Sequence, residues 1–400
     1  MKVALVSDCY LPRLGGIEVA VHSLAGALAA RGHEVVVVTA TRADGAVETA
    51  DAPGAVEAGA QGSAERGTER GADDGPVRVV RLPPPVGRLP VNPLATRSVR
   101  ALLAEVDVVH AQLGVVSPFA VDAVRSALAV GVPVAATFHS LVGPAAARAL
   151  SVSGRVGRWA KAGVALSAVS SAAAVPVGRL AGGAPVALLP NAVDTALWRP
   201  VDPDPRPGAG ELAAHPERPV RVVTATRLAG RKRPVALVEI VAQALEQLPP
   251  GQAAEVEVYG EGRERSAVEH MVARHGLTDR VRLCGRVARG RLPEIYSNAD
   301  LFVSSVEMEA FGIAALEARS CGLPVLGREG TGLRDFVVPG ESGHLEGSDE
   351  ELATRLAELV TDHAARDRIR QHNRNTPVSQ TISALSEAAM REYDRAVKES

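Results

Sequence analysis

The stretch ADLFVSSVEMEAFGIAALE, residues 299–317, contains every kind of element from which the chain is built. An apolar run over 299–304 predicts a buried strand, and a helical pattern begins near Gly312. The loop between them is acidic and carries Glu309, while Glu317 falls about two turns inside the predicted helix. Strands that alternate with helices are typical of parallel sheets with right-handed crossovers. The segment therefore predicts an α/β fold.

The same alternation extends in both directions from this stretch. In the first half, strands are predicted at 3–7, 34–39, 77–81, 106–111, 132–138, 164–170 and 186–189. In the second half, they are predicted at 220–226, 256–259, 281–284, 299–304 and 324–326. Helical patterns fall between the strands, as over 17–31, where apolar residues recur on one stripe. Two such series predict two doubly wound, Rossmann-like domains, and 400 residues also exceed what one hydrophobic core usually supports.

The domain boundaries follow from composition. We place the first domain at 1–190 and the second at 191–380, with a proline-rich join at 200–219. Residues 43–76 are rich in Ala, Gly, Glu and Asp and contain no aromatic residue, which predicts a mobile insertion. The final segment, 381–400, predicts a helix, which we expect to pack back on the first domain.

Bulk composition excludes several classes of protein. The formal net charge is −2, so no overall positive field favours nucleic acid. Cys9, Cys284 and Cys321 are few and odd in number, which favours a reducing compartment over a disulfide framework. No Cys/His spacing indicates a metal site, and no run of eighteen apolar residues indicates a membrane span. We therefore expect a cytoplasmic protein without a bound metal or cofactor.

Candidate ligand-binding residues follow the predicted strands, because open parallel sheets bind ligands at the carboxyl ends of their strands. In the first domain, Gly15 and Gly16 lead into a helix, where backbone amides can approach a phosphate. A flexible turn accounts for these glycines equally well, and the G-x-G-x-x-G dinucleotide fingerprint is absent. His139 follows a buried strand and is placed to face a cleft, although a structural histidine fits the same pattern.

The second domain carries the charged candidates. Arg227 and Lys232 follow its first strand, where two cations suit a diphosphate, although a solvated run of charges is the alternative. Gly260 and Gly262 follow the next strand and leave room for a base or a ribose, although such turns are common.

The acidic loop of the opening stretch carries the most specific candidates. Carboxylates at Glu309 and Glu317 can accept hydrogen bonds from paired sugar or ribose hydroxyls. The backbone amides of Phe311, Gly312 and Ile313 fall at the helix N-terminus, where they can donate to an anion or a sugar oxygen.

Together these residues resemble glycosyltransferase family 4, a family of retaining enzymes with the GT-B fold, over nearly the whole chain. The resemblance rests on motifs in the family's order: Gly15-Gly16, Pro190-Asn191-Ala192-Val193-Asp194, Arg227-x4-Lys232, Gly260-Glu261-Gly262, Glu309-x7-Glu317 and Gly340-Glu341-Ser342-Gly343. It implies two Rossmann-like domains that face a central cleft, with acceptor binding in the first and donor binding in the second. Ala192, Arg328 and Asp335 depart from the residues that are usual in the family.

The resemblance also implies residue roles. Arg227 and Lys232 hold the donor diphosphate without a metal. Glu317 binds the ribose, and Glu309 contacts the donor sugar beside the backbone of Phe311, Gly312 and Ile313. His139 faces the donor sugar from the first domain, and Gly16 approaches the phosphates or the acceptor.

The expected activity is transfer of a sugar from a UDP-sugar or GDP-mannose to an acceptor hydroxyl. The acceptor stays open between a lipid, a glycan, a polyol phosphate and a natural product. A basic segment with Arg155, Arg158, Trp159 and Lys161 is consistent with peripheral contact at the inner face of a membrane, although an ordinary surface helix explains it as well. Two other functions remain open at this point: a nucleotide-sugar epimerase on the same fold, and a non-catalytic sugar-nucleotide binding protein.

Overall fold

The computed structural model describes residues 1–13, 15–43, 69–70, 77–82, 96–201 and 218–399. Nearly all of the expected insertion at 43–76 and most of the proline-rich join at 200–219 lie outside these residues. The chain divides into two compact units, Met1–Ala192 with Gln380–Ser400, and Val193–Ser379. Each unit is built on a sheet of mainly parallel strands with helices, which confirms the prediction of two Rossmann-like domains.

The described part of the first unit has one eight-stranded sheet with the order β3-β4-β2-β1-β5-β6-β7-β8. Its strands are β1 (Lys2–Ser7), β2 (Glu34–Thr39), β3 (Glu69–Arg70), β4 (Val77–Arg81), β5 (Val108–Leu113), β6 (Val134–Phe138), β7 (Ala165–Ala168) and β8 (Ala187–Leu188). All neighbours pair in parallel except β3 and β4. The winding direction reverses between β1 and β5, which is where a sheet of this kind opens a binding crevice.

The strand predicted at 106–111 is displaced along the chain, because β5 runs from Val108 to Leu113. Asp107 is part of the turn before the strand: its backbone N–H donates to the Lys2 carbonyl, and its carboxylate accepts from the Lys2 N–H. The short antiparallel strand β3 has no apolar pattern and was not predicted.

The helices of the first unit cover both faces of its sheet. They are α1 (Gly16–Ala30), α2 (Thr96–Leu103), α3 (Pro118–Ala129), α4 (Pro144–Ser153), α5 (Arg155–Lys161), α6 (Ser171–Leu180) and, from the end of the chain, α13 (Ile382–Glu399). Helix α1 buries Val21, Leu24 and Leu28 against the sheet. On the same face, α13 contributes Leu385 and Tyr393 to the core, so the chain's last helix belongs to the first unit.

The second unit has a six-stranded parallel sheet with the order β11-β10-β9-β12-β13-β14. Its strands are β9 (Val220–Ala225), β10 (Ala254–Tyr259), β11 (Val281–Gly285), β12 (Leu301–Val303), β13 (Val325–Arg328) and β14 (Gly343–Glu346), and its helices are α7 (Pro234–Glu246), α8 (Arg265–Arg274), α9 (Leu292–Ser297), α10 (Ile313–Ser320), α11 (Asp349–Thr361) and α12 (His363–Asn375). The reversal of winding lies between β9 and β12. Strand β14 was not predicted, because only one of its four residues is a large apolar side chain. Across the described residues of both units, none of the helices combines the length and the apolarity needed to cross a membrane.

Candidate active site

The reversal of winding in the second unit brings a predicted cation and a predicted carboxylate into contact. The loop after β9 carries Arg227 and Lys232, and the loop after β12 carries Glu309. The Lys232 Nζ donates to Glu309 Oε2 at 2.6 Å. Their side chains are 28% and 17% exposed, so solvent and ligands can reach the pair. Arg227 is exposed at the start of the same loop.

Close backbone packing fixes the loop that carries Glu309. The Gly332 N–H donates to the Glu309 carbonyl at 2.9 Å. Gly312 has a φ of 89°, and a Cβ at this position would lie 2.5 Å from Leu333 Cδ1. Because a side chain at Gly312 would be both strained and in collision, the loop needs glycine here to pack under Leu333.

Helix α10 begins directly after this loop. Its N-cap is Gly312, and no side chain among the described residues caps it. The first-turn amides, that of Ile313 included, therefore keep their capacity to donate to an anion or a sugar oxygen. The Phe311 side chain is 2% exposed and packs against Phe336 at a ring distance of 5.4 Å, so only its backbone can serve a ligand.

Glu317 is the fifth residue of α10, which corrects the expected depth of about two turns to just over one. Its side chain is buried and its Oε1 accepts hydrogen bonds from the Arg289 guanidinium, from Nε at 3.2 Å and also from Nη2. Arg289 in turn stacks on the Trp198 ring at 5.3 Å. Burial raises the pKa of Glu317, and the nearby Arg289 charge opposes that rise.

Gly260 and Gly262 are required by packing against the neighbouring loop. A Cβ on Gly260 would lie 1.9 Å from the Thr226 carbonyl oxygen, and one on Gly262 would lie 2.1 Å from the Leu228 carbonyl oxygen. Two backbone hydrogen bonds join the same loops, from Thr226 N–H to the Tyr259 carbonyl and from Leu228 N–H to the Glu261 carbonyl. The glycines thus support the loop that presents Arg227, and contact with a base or ribose stays a prediction.

A second set of charges surrounds Arg328 at the end of β13. Arg233 hydrogen-bonds the Asp349 carboxylate at 3.0 Å and donates to the Ser305 carbonyl at 2.9 Å. The Asp349 carboxylate raises the pKa of Arg233. The Arg328 side chain is 11% exposed and lies 3.7 Å from both Glu307 and Asp349. Arg328 therefore belongs to an ionic cluster at the carboxyl ends of the strands.

In the first unit, the two adjacent glycines differ in their surroundings. A Cβ on Gly15 would lie close to Glu18 Oε2, whereas no atom of the described residues lies within 4 Å of a Cβ built on Gly16. Glu18 is buried in the first turn of α1 and its Oε1 is 3.1 Å from Arg13 Nε. A side chain at Gly15 would thus meet the end of the Glu18 side chain, while Gly16 borders open space at the helix N-terminus.

His139 follows β6 and is held by its neighbour on β5. The Gln112 Oε1 is 2.6 Å from His139 Nε2, so Nε2–H donates and Nδ1 is left as an acceptor. This Nδ1 is buried and has no hydrogen-bond partner among the described residues. Burial lowers the pKa of His139 to about 4, so the imidazole is neutral at physiological pH.

A separate network of buried hydrogen bonds is centred on His110 of β5. His110 Nε2 is 2.6 Å from Thr137 Oγ1, and its Nδ1 is 2.9 Å from the Tyr393 hydroxyl. Burial lowers the pKa of His110 to about 3. The network ties α13 to the centre of the sheet, which gives His110 a structural explanation.

The cavities among the described residues include one in each unit. The larger, about 470 Å³, lies beside the edge strand β11 and is lined by residues such as Glu257, Arg265 and Arg282, none of which is a candidate site residue. The smaller, about 250 Å³, lies in the first unit and includes Phe138 and Ser140, the residues on either side of His139.

Sequence models of two families match the chain. The model described as Glycosyltransferase Family 4 matches residues 14–197, and the model described as Glycosyl transferases group 1 matches residues 212–376. Between them, these matches take in most of both units. The chain belongs to glycosyltransferase family 4. This family 4 chain is therefore a glycosyltransferase, and the resemblance inferred from its motifs is confirmed.

Known proteins resemble this chain in sequence or in structure. A phosphatidylinositol N-acetylglucosaminyltransferase subunit of Arabidopsis thaliana is 26% identical over 414 residues, which cover 100% of this chain and 83% of that protein. The GDP-mannose-dependent alpha-(1-6)-phosphatidylinositol monomannoside mannosyltransferase of Mycolicibacterium smegmatis is 28% identical over 183 residues, or 44% of this chain and 47% of that protein. The chain thus spans about half the length of this second relative. The Anabaena HepE structure with UDP and glucose has a TM-score of 0.70 at 17% identity and covers 98% of both chains, which confirms the fold.

Two residues of this glycosyltransferase were not found by sequence reasoning. Arg289 contacts Glu317 from 28 positions earlier in the chain, and Gln112 contacts His139 from 27 positions earlier. Neither belongs to a motif, and their partners are brought to them only by the packing of neighbouring elements. The polar side chain of Gln112, directly after the strand predicted at 106–111, was the available signal.

Proposed function

We propose that this family 4 glycosyltransferase transfers a hexose from a nucleoside-diphosphate sugar to an acceptor hydroxyl, with retention of anomeric configuration and without a metal. The observation that carries the proposal is the contact of Lys232 with Glu309 at the reversal of winding in the second unit. A cation for the diphosphate and a carboxylate for the sugar then stand side by side. The UDP and glucose bound to HepE support a UDP-sugar, and the name of the mycobacterial relative supports GDP-mannose.

The cations serve the leaving group. As the bond between the anomeric carbon and the phosphate oxygen breaks, negative charge grows on the diphosphate. Lys232 and Arg227 supply the positive charge that a divalent ion supplies in other transferases. Glu309 pairs with Lys232, and we expect an incoming diphosphate to compete for the same ammonium group.

The carboxylates serve the sugar and the ribose. Glu309 stabilises the positive charge that develops on the sugar ring, while Glu317 accepts from ribose hydroxyls. Retention follows when the acceptor hydroxyl attacks from the face that the phosphate leaves. The new bond joins acceptor oxygen to the anomeric carbon, the acceptor proton passes to a diphosphate oxygen, and the nucleoside diphosphate departs. No protein nucleophile is needed.

We assign acceptor binding to the first unit. The unpartnered Nδ1 of neutral His139 is an acceptor for a sugar hydroxyl. Gly16 offers open space at a helix N-terminus. The names of both sequence relatives contain phosphatidylinositol, which supports a lipid acceptor and peripheral contact with a membrane.

The proposal is tested with a panel of UDP- and GDP-sugars in the presence of a chelator. We expect one donor to release its nucleoside diphosphate on addition of acceptor, and proton NMR of the product to show the anomeric configuration of the donor. Conversion of the sugar with the nucleotide still attached would identify an epimerase instead. Complete loss of turnover in chelator would refute the metal-free mechanism.

The Lys232→Ala variant is assayed beside the wild type with the same panel of donors. Loss of one preorganised charge at a leaving group costs about 2.7–4 kcal/mol of transition-state stabilisation, or about 10²–10³ in kcat. Because the diphosphate charge grows in the transition state, donor binding should change less than kcat. An unchanged rate would place Lys232 outside the site.

A further inference from the structure

We propose that the 250 Å³ cavity of the first unit, hereafter the apolar cavity, receives the hydrocarbon chain of an anionic membrane lipid that serves as acceptor. This inference rests on the proposed transferase activity and specifies the acceptor's chemical class. Cavities that enclose a whole small ligand usually measure about 300–1,000 Å³. The apolar cavity is smaller, which suits one segment of a larger molecule.

The cavity lies beside a candidate catalytic residue. Its walls come mainly from the loop after β5, the loop after β6 and the helices α3, α4 and α5. Phe138 and Ser140 both line it, so His139 stands between two of its wall residues. A molecule that fills the cavity would therefore end at the loop that carries His139, while the imidazole itself faces Gln112.

The lining of the cavity is mainly hydrocarbon. Its apolar walls include Leu113, Leu141, Val142, Leu150, Val156 and Trp159. Val115 and Val116 also line it while remaining 57% and 78% exposed. On α4, Val152 is 86% exposed, two residues after the cavity-lining Leu150. Large side chains left in water around an apolar cavity indicate a partner that supplies hydrocarbon of its own.

The charge of the surrounding segment indicates an anionic partner. Residues 123–193 contain six Arg and Lys residues and no Asp or Glu. Arg155 lines the cavity, and Arg148, Arg158 and Lys161 are exposed on α4 and α5. Among the residues that the structure describes, no carboxylate forms an ion pair with any of these four side chains. Positive charge beside exposed valines matches a lipid whose chain lies below an anionic headgroup.

Tryptophan fluorescence tests chain entry without any need for activity. The chain has two tryptophans: Trp159 lines the cavity, and Trp198 is buried in the second unit. The full chain is mixed with phosphatidylcholine vesicles containing about one quarter phosphatidylglycerol, with or without bromine on the acyl chains. We expect brominated chains to quench the emission, and Trp159→Phe to remove that quenching. Vesicle binding without quenching of Trp159 would show surface contact only and overturn the proposal.

Two sets of variants separate the contributions of the cavity and of the charges. Val116→Asp should reduce both vesicle binding and quenching, whereas Val338→Asp, at a valine 48% exposed in the second unit, should change neither. Arg158→Ser with Lys161→Ser should weaken binding to the anionic vesicles by about fivefold per cation and leave neutral vesicles unaffected. Equal binding of the wild type to neutral and anionic vesicles would refute the anionic partner.

Nucleoside-diphosphate binding is measured on the same samples. Its loss with intact quenching of Trp159 would refute the proposed donor site and leave the lipid inference standing. Intact nucleotide binding without quenching of Trp159 would refute the lipid inference and leave the proposed donor site standing.

Discussion

Replacement of Glu309 by Gln tests whether its contact with Lys232 is the catalytic centre. The exchange keeps the shape of the side chain and removes the charge that lies 2.6 Å from the Lys232 ammonium. Two effects of opposite sign should follow. Lys232 is released to bind a diphosphate, so affinity for the bare nucleotide should rise. The sugar's developing positive charge loses its carboxylate, so turnover should fall.

The exposure of the pair sets the size of the first effect. With side chains 28% and 17% exposed, the pair resembles surface ion pairs, whose net contribution is about 0.2–1 kcal/mol. Removing that competition should tighten UDP or GDP binding by at most about fivefold. The second effect should be larger, because loss of one preorganised electrostatic group costs about 10²–10³ in kcat. The donor KM should change much less than kcat.

The assay combines isothermal titration with UDP or GDP in chelator and steady-state kinetics at saturating acceptor. Glu307→Gln is the matched control, because Glu307 lies in the same loop, is 49% exposed and pairs with Arg233 instead of Lys232. The control should alter neither quantity by more than about twofold, as expected for exposed ion pairs. A Glu309→Gln protein that changes only in KM, or that binds nucleotide more weakly, would refute the catalytic role.

Three further changes probe the second carboxylate, the loop packing and the buried network. Glu317→Gln should raise donor KM by about tenfold and spare kcat in the same steady-state assay, because ribose contacts are equal in the ground and transition states; a fall in kcat alone would contradict this. Gly312→Ala should cost about 1–3 kcal/mol and lower Tm by several degrees in calorimetry, because a Cβ would lie 2.5 Å from a Leu333 methyl at a φ of 89°. Gly290→Ala should leave Tm unchanged, because no atom of the described residues lies within 4 Å of a Cβ there. His110, with its pKa lowered by burial to about 3, is neutral when folded and protonated when unfolded between about pH 6.5 and 3, so stability is lost as pH falls through this range. At pH 5 the unfolding of His110→Gln in urea should take up about one proton fewer than wild type, and equal uptake would contradict burial of a neutral ring.

The sequence was sufficient for the fold class and for the candidates at the strand ends. Strand–helix alternation is a local pattern with a fixed geometric consequence, since parallel strands joined by helices form a doubly wound sheet. The same geometry places every loop that follows a strand at one edge. Arg227, Lys232 and Glu309 could therefore be selected from position alone, and the reversal of winding between β9 and β12 places two of the loops side by side.

The partners of those residues depended on tertiary structure. Nothing in the local sequence pairs Lys232 with Glu309 rather than with Glu307, because the choice depends on how Leu333 and Gly332 hold the acidic loop. The contact of Arg289 with Glu317 joins segments that no local pattern relates. Glycines show the same difference between sequence and tertiary structure. The sequence indicates where the backbone can approach a neighbour closely. Only the packed structure distinguishes Gly260, whose Cβ would meet the Thr226 backbone, from Gly16, which borders open space, because such contacts come from residues distant along the chain.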